Sequence, residues 1–289
     1  MILVVGATGR LLPVTDALLA RGLPVRLTAR DPRSARARAL ARRGAEVVQA
    51  DLDDPDGLTA AVDGAEAVFA AGSPHQAGPD GERRHGINVA RAVAAAGTAH
   101  LVFSSGAGAE RPTGVPVLDG KHAVEREIAR LGIPSTILAP VYFMENAFNP
   151  WNLPALAAGR FPLPLPGDRP LQQIAIADLA SVAVAVLERP ADFAGERLAL
   201  AGDELTGEEA AAALTRVAAR SFEFQEVPLA SFPEGMRLLF DWLRRGGPEV
   251  DVEAVRRRFP DIGWHRFADW AGSRPEFGAA RDHAPGTAR

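Results

Sequence analysis

Six short, almost wholly apolar runs, at 2–5, 25–28, 46–49, 67–71, 100–104 and 135–138, alternate with helical patterns near 10–21, 33–43, 55–62, 80–96 and 118–131. No other feature of the chain limits its fold as strongly. A strand that is apolar on both faces must be covered on both faces, which is the condition of a parallel sheet. Parallel strands need crossovers, and the helices supply them, in a right-handed sense. Turn signals close each helix: Arg21-Gly22, Arg43-Gly44, Asp63-Gly64 and Leu131-Gly132. The expectation is an α/β chain whose first half is a doubly wound parallel sheet.

After about residue 150 the texture changes. The stretch "NPWNLPALAAGRFPLPLPGDRP" carries prolines at 150, 154, 162, 164, 166 and 170, a density that predicts an irregular crossing or lid. A strand and an apolar helix are expected near 172–188, then a strand in "ERLALAG", a capped helix after Thr206, an alternating strand in "FEFQEVPL" and helices over 230–272. The predicted organisation is a dinucleotide-type sheet domain over 1–150, to which the 172–188 segment returns. A smaller, partly discontinuous α+β domain over 151–272 and a loose tail over 273–289 follow.

Composition narrows the chemistry. The 289 residues carry a net charge of −4 and no cysteine. Thiolate catalysis, thiolate metal sites and disulfides are excluded. Nothing points to nucleic acid or to an anionic membrane. No apolar run is long enough to span a bilayer and no secretion signal is visible, so the expected location is cytoplasmic. The histidines show no ligand spacing, so no metal is expected.

The first 22 residues, "MILVVGATGRLLPVTDALLARG", place a glycine turn between the first strand and the first helix. In a Rossmann turn the first glycine permits the bend, the second lets the backbone approach a pyrophosphate, and the third lets the helix pack on the strand. Gly6 and Gly9 fill the first two places; Leu12, followed by Pro13, stands at the third. That departure touches packing rather than phosphate contact, and Pro13 falls in the first helical turn, where a missing N–H costs little. The backbone anion site survives. The second strand ends in Arg30, with Arg33 behind it, where a NAD site would carry a carboxylate. A guanidinium suits a 2′-phosphate, which favours NADP(H); Asp31 beside it leaves NAD(H) open. Asp51 and Leu52 end the third strand, where an adenine would rest, and Asp53 and Asp54 are expected to cap the next helix.

Among 32 basic residues Lys121 is the one lysine. Val124, Ile128 and Leu131 follow it at i+3, i+7 and i+10, so it heads the face of a helix that must pack on the sheet. A lysine so placed binds something or exchanges a proton.

These features together resemble the NmrA-like group of atypical short-chain dehydrogenases. The motifs are "GATG", "RDP", "GAEVVQADLDD", "GINVARAVAAAG", "HLVFSS", "KHAVEREI" and "TILAPVYFMEN". The usual Tyr-x-x-x-Lys tyrosine is replaced by Val117, and the chain's single tyrosine is Tyr142. Ala139 stands where the family places an arginine before the proline. The resemblance implies that backbone groups of Gly6, Thr8, Gly9, Arg10 and Leu11 hold the pyrophosphate and that Arg30 holds the 2′-phosphate. Asp51 and Leu52 would contact adenine. Ala71, Gly72 and Ser73 would line the ribose and pyrophosphate channel, and Ser104 would touch the nicotinamide half. Lys121 would bind the nicotinamide ribose as the catalytic contact, with Pro140, Val141 and Phe143 flanking the ring. Two functions follow from the resemblance and stay open here: an NADPH-dependent reductase of a small hydrophobic, quinone-like or aromatic acceptor, or a non-catalytic redox sensor that regulates a protein partner. The oligomeric state is not legible.

Overall fold

The computed structural model describes residues 1–6, 9–72, 74–218 and 220–277, with 74–77 described by backbone alone. Thr8 and Ser73 lie outside the described residues, as does the side chain of His75. The first half runs β1 (Ile2–Val5), α1 (Leu12–Ala20), β2 (Val25–Ala29), α2 (Ala35–Arg42), β3 (Glu46–Gln49), α3 (Pro55–Val62), β4 (Ala67–Ala71), α4 (Pro74–Ala96), β5 (His100–Ser104), α5 (Pro116–Leu131) and β6 (Ser135–Pro140). The second half adds β7 (Tyr142–Phe143), α6 (Leu153–Ala157), β8 (Arg160–Leu163), β9 (Leu171–Ile174), α7 (Ile176–Glu188), α8 (Pro190–Phe193), β10 (Arg197–Leu200), β11 (Asp203–Leu205), α9 (Gly207–Val217), β12 (Glu223–Glu226), α10 (Glu234–Arg244), α11 (Val252–Arg258) and α12 (Phe267–Gly272).

The main sheet has seven strands in the order β10-β6-β5-β4-β1-β2-β3, all parallel. Apart from β10 this is the doubly wound order, with its switch point between β1 and β4. The two-residue period of β1 divides the core. Ile2 and Val4 face Val14 and Leu18 of α1 and the apolar length of α7. Leu3 and Val5 face Leu58 and Val62 of α3, Val89 and Val93 of α4, and Val124 and Ile128 of α5. Among the described residues no helix is long and apolar enough to cross a membrane.

The second half departs from its expected layout in particular places. The helix near 172–188 does pack on the sheet domain, against α1, but β9 pairs instead with β7 and β11 in a separate three-stranded sheet. The strand returned to the main sheet is β10, which pairs with β6. The proline-dense stretch is not wholly irregular. Pro154 sits in the first turn of α6, and Pro162 lies in β8, which among the described residues pairs only with β12. A proline is tolerated in both positions because neither needs its missing N–H. The capped helix is as expected: Glu209 N donates to Thr206 Oγ1 (3.1 Å) and Thr206 N donates to a Glu209 carboxylate oxygen (2.8 Å). Asp54 sits at the N-cap of α3 without a side-chain hydrogen bond. Asp53 instead meets Arg84 (2.6 Å) and His85 (3.1 Å), and the Arg84 guanidinium, then His85, hold its carboxyl down at about 2.

Part of the segment expected to be a loose tail is packed. Phe277 is 1% exposed and packs against Phe148, Phe222 and Trp270. Burying such a side chain stabilises by about 1.5–3 kcal/mol, enough to hold the polar residues before it in place.

Candidate functional site

The turn after β1 is built for close approach. Gly6 adopts φ +83°, and a Cβ there would stand 2.9 Å from the carbonyl oxygen of Ala71 at the end of β4. A Cβ on Gly9 would meet the Gly6 oxygen at 3.3 Å, and Gly9 N donates to that same oxygen (3.1 Å). The two glycines therefore bring the backbone of the turn against the end of the neighbouring strand, at the switch point. No side chain caps α1, which begins at Leu12 with Pro13 in its first turn. Leu12 N donates to Gly9 O (3.3 Å) and Val14 N to Leu11 O (3.0 Å), and Pro13 has no N–H to satisfy, so the helix start is closed by the turn itself. Leu12, where a third glycine was missing, is half-buried and packs on the main core.

Across the crevice, α5 carries Lys121. Val124 and Ile128 on its face are buried and Leu131 is half-buried. Gly86 of α4 lies under Val124: a Cβ at 86 would be 2.7 Å from a Val124 methyl. The missing side chain lets α4 and α5 close up. One turn before Gly86 on α4 stands Glu82 and three residues before Val124 on α5 stands Lys121, so the close approach brings the two together. Lys121 Nζ donates to Glu82 Oε1 at 2.7 Å, with the side chains 14% and 6% exposed. The Glu82 carboxyl also fills the space over Gly72, where a Cβ would fall 2.2 Å from Oε1. Gly86→Val is expected to destabilise by about 1–3 kcal/mol through overpacking and to separate this pair, read by denaturant unfolding.

The loop after β5 forms the next wall. Its shape is held by Arg197 of β10, which donates to Gly106 O (2.9 Å) and to Glu125 Oε2 (2.9 Å) and pairs with Glu110 (3.1 Å). Ser105 Oγ donates to Glu125 as well. The stem of Lys121 lies over Gly106. Gly108 has φ +93°, and the Trp242 ring of α10 would be 2.6 Å from a Cβ there. Glycine thus admits the indole into the wall. Ala139 is fully buried in β6 beside Ala199 of β10, so the family's arginine has no counterpart at that place.

Gly6, Gly9, Arg10, Leu11, Ala71, Gly72, Ser104, Lys121, Pro140, Val141 and Phe143 all line one cavity of about 270 Å³. Arg30, Asp51 and Leu52 do not line it; they lie at the carboxyl ends of β2 and β3, along the same edge of the sheet. Phe143 lines the cavity, and Met144 is fully buried in a separate cluster with Leu156, Phe161, Phe267 and Trp270. Phe148 packs in tilted ring contacts against Trp270 and Phe277. Glu145 ties this segment down, accepting from Ile176 N (3.1 Å), Trp270 Nε1 (3.0 Å) and Arg274 (3.0 Å). Sequence reasoning missed Glu82 and the contribution of α10 (Leu239, Trp242, Leu243). The one-turn spacing of Glu82 and Gly86 was a signal for the first. For α10 the sequence showed amphipathicity without a partner.

Tyr142 lines the same cavity, with its hydroxyl in contact with Asn146. Burial pushes the phenol well above its ordinary range, keeping it protonated. The wall therefore combines a glycine turn, an ammonium, a protonated phenol and an amide with apolar side chains.

The profile of the NmrA-like family matches residues 1–241. The chain is 35% identical over 230 residues to the (4-alkanoyl-5-oxo-2,5-dihydrofuran-3-yl)methyl phosphate reductase of Streptomyces griseus, covering 78% of this chain and 77% of that protein. It is 30% identical to the NAD(P)H azoreductase of Xenophilus azovorans, covering 82% and 80%. Among solved structures, the NADPH-dependent quinone oxidoreductase of Escherichia coli in complex with NADPH superposes with a TM-score of 0.80 at 27% identity, over 94% of this chain and 98% of that one.

Proposed function

Because this chain belongs to the NmrA-like family, we propose that it is a reductase that uses NADPH on a small hydrophobic acceptor. The observation that carries the reading is the position of Lys121, the chain's single lysine, in the wall that also contains Gly6 and Gly9. The similar proteins act as reductases by name, one of an alkanoyl dihydrofuranyl methyl phosphate, one with NAD(P)H on azo compounds and one with NADPH on quinones.

The residues fit the dinucleotide. Gly6, Gly9, Arg10 and Leu11 line the cavity, and a Cβ at Gly6 would strike Ala71 O, so the turn can lie this close to β4 only with glycine there. These groups hold the pyrophosphate, with Thr8 and Ser73 assigned to the same channel by resemblance. Arg30 holds the 2′-phosphate, so NADPH is preferred and NADH remains a weaker ligand. Asp51 and Leu52 receive adenine, and Ala71 and Gly72 the ribose and pyrophosphate. Ser104, Pro140, Val141 and Phe143 border the nicotinamide. NADPH, when bound, supplies the hydride. Lys121 has three N–H donors and gives one to Glu82. The other two are available to the nicotinamide ribose and to a water that carries a proton to the reduced acceptor. Trp242, Leu239 and Tyr142 exclude bulk water from that end.

Titration of the protein with NADPH and NADH, read by nicotinamide fluorescence, is expected to show saturable binding of NADPH. Loss of reduced-nicotinamide absorbance with a quinone or azo acceptor is then expected to show turnover. Binding of neither nucleotide removes the reading; NADPH binding without turnover on any acceptor favours the sensor. Arg30→Glu is expected to weaken NADPH more than NADH by about 1.5–3 kcal/mol. Equal weakening of both would remove the 2′-phosphate assignment.

A further inference from the structure

The cavity just described does not end at Tyr142. A second one, of about 720 Å³, adjoins it, and Arg10, Val117, Tyr142, Asn146 and Leu239 belong to both walls. Its size is that of a small-molecule site. Its lining is largely apolar, with Trp151, Met236, Leu239 and Phe240 prominent, and Trp151 is 46% exposed at its mouth. Among the described residues two charged side chains line it, Arg10 and Glu234. Glu234 is exposed in the first turn of α10, whereas Arg10 sits where the two cavities join.

Arg10 has an unusual setting. Its side chain is reached by solvent because it faces open space, yet the protein around it desolvates the guanidinium enough to lower its pKa. Among the described residues no carboxylate lies within ion-pair distance of it; its Nη2 donates a 3.3 Å hydrogen bond to Asn149 Oδ1. The nearest acidic influence, Glu145, is already committed to Ile176, Trp270 and Arg274. A cation left without a counter-charge at the join of an apolar cavity and a candidate cofactor crevice calls for an anionic ligand. Asn149 and Asn146 add amides in the same wall.

We infer that the acceptor is an amphiphile: an apolar alkyl or aryl body lies in the cavity of Trp151, Met236, Leu239 and Phe240, and one anionic group, a carboxylate, sulfonate or phosphate, is held by the Arg10 guanidinium. This rests on the reductase reading for the identity of the crevice, but not for the existence of the anion site. A planar guanidinium takes two oxygens of such a group side by side, which an ammonium does not. A neutral quinone would use the apolar wall and leave Arg10 idle. An anionic acceptor gains one charge-assisted contact, fixing which end of the molecule lies toward Lys121.

The test uses a matched pair of fluorescent probes on the full chain, with and without saturating NADP⁺. The first is 1-anilinonaphthalene-8-sulfonate; the second is N-phenyl-1-naphthylamine, the same molecule without the sulfonate. Arg10→Gln is expected to weaken the sulfonate probe about tenfold and to leave the neutral probe within about twofold. Arg10→Lys is expected to recover part of the loss. NADPH affinity is measured separately in both variants, so that a loss at the cofactor crevice is told from a loss at the acceptor cavity. Thermal unfolding confirms that each variant is folded. Equal weakening of both probes, no binding of the sulfonate probe to the unaltered protein, or a loss confined to NADPH each overturns the inference, the last by assigning Arg10 to the cofactor. Should NADPH fail to bind while the probes still discriminate, the anion site stands and the reductase reading falls.

Discussion

Lys121→Ala is expected to lower the unfolding free energy by about 3–5 kcal/mol and to abolish measurable NADPH binding. The first effect follows from Glu82. Its carboxylate is 6% exposed, packed over Gly72, and its ion pair within the described residues is with Lys121. Removing the ammonium leaves a buried charge without its partner, and that is the costly way to break such a pair. Since a domain has only about 5–15 kcal/mol in hand, lost binding in this variant has two explanations, unfolding and a missing ribose contact. The double variant Lys121→Met with Glu82→Gln separates them. It removes both charges while keeping the side-chain volumes, so stability should return to within about 1 kcal/mol of the unaltered protein. NADPH affinity should not return if Lys121 is the ribose donor proposed above. Urea unfolding gives the first quantity and nicotinamide fluorescence the second. A single Lys121→Ala variant as stable as the parent, with unchanged NADPH affinity, would remove Lys121 from the site.

Gly6→Ala is expected to reduce NADPH affinity more than tenfold and to cost about 1–2 kcal/mol in stability. Two separate features of the position act together. The backbone angle, φ +83°, is one that a residue with a Cβ adopts only with strain, and the new methyl would stand 2.9 Å from a backbone oxygen that cannot turn away. Either the turn or the end of β4 must move, and both border the channel assigned to the pyrophosphate. Gly22→Ala is the matched control. Gly22 has φ +67° and open space where a Cβ would go. It should show the strain, read as a lowered midpoint of thermal unfolding, while binding NADPH normally. Gly9→Ala should fall between, since its Cβ would meet the Gly6 oxygen at 3.3 Å without a positive φ. Should Gly6→Ala bind NADPH as the parent does, the turn is not the phosphate site.

Much of this molecule could be read from residue patterns, and the reason is that those features are local. A run such as Ile2–Val5 or His100–Ser104 carries its own instruction, because a short segment apolar on both faces is stable only inside a sheet. The Thr206–Glu209 box and the Gly132 terminus are likewise complete within a few residues. The stripe from Lys121 to Leu131 is set by helical spacing alone, and it forecast correctly that the lysine heads the buried face. Whatever depends on distant segments meeting was not decided at that level. That β10 rather than β9 extends the main sheet is a matter of pairing between distant segments, β10 with β6 and β9 with β7 and β11. That β8 finds β12, some sixty residues away in the chain, allows a proline into a strand where the local rule argued against one. The chain marks Lys121 as exceptional, but only the packing of α4 on α5 at Gly86 gives it Glu82 for a partner. Likewise only the docking of α10 beside the loop after β5 turns a glycine turn and a lysine into an enclosed cavity. The contacts that make a site are short in space and long in sequence, and no local periodicity carries information about them.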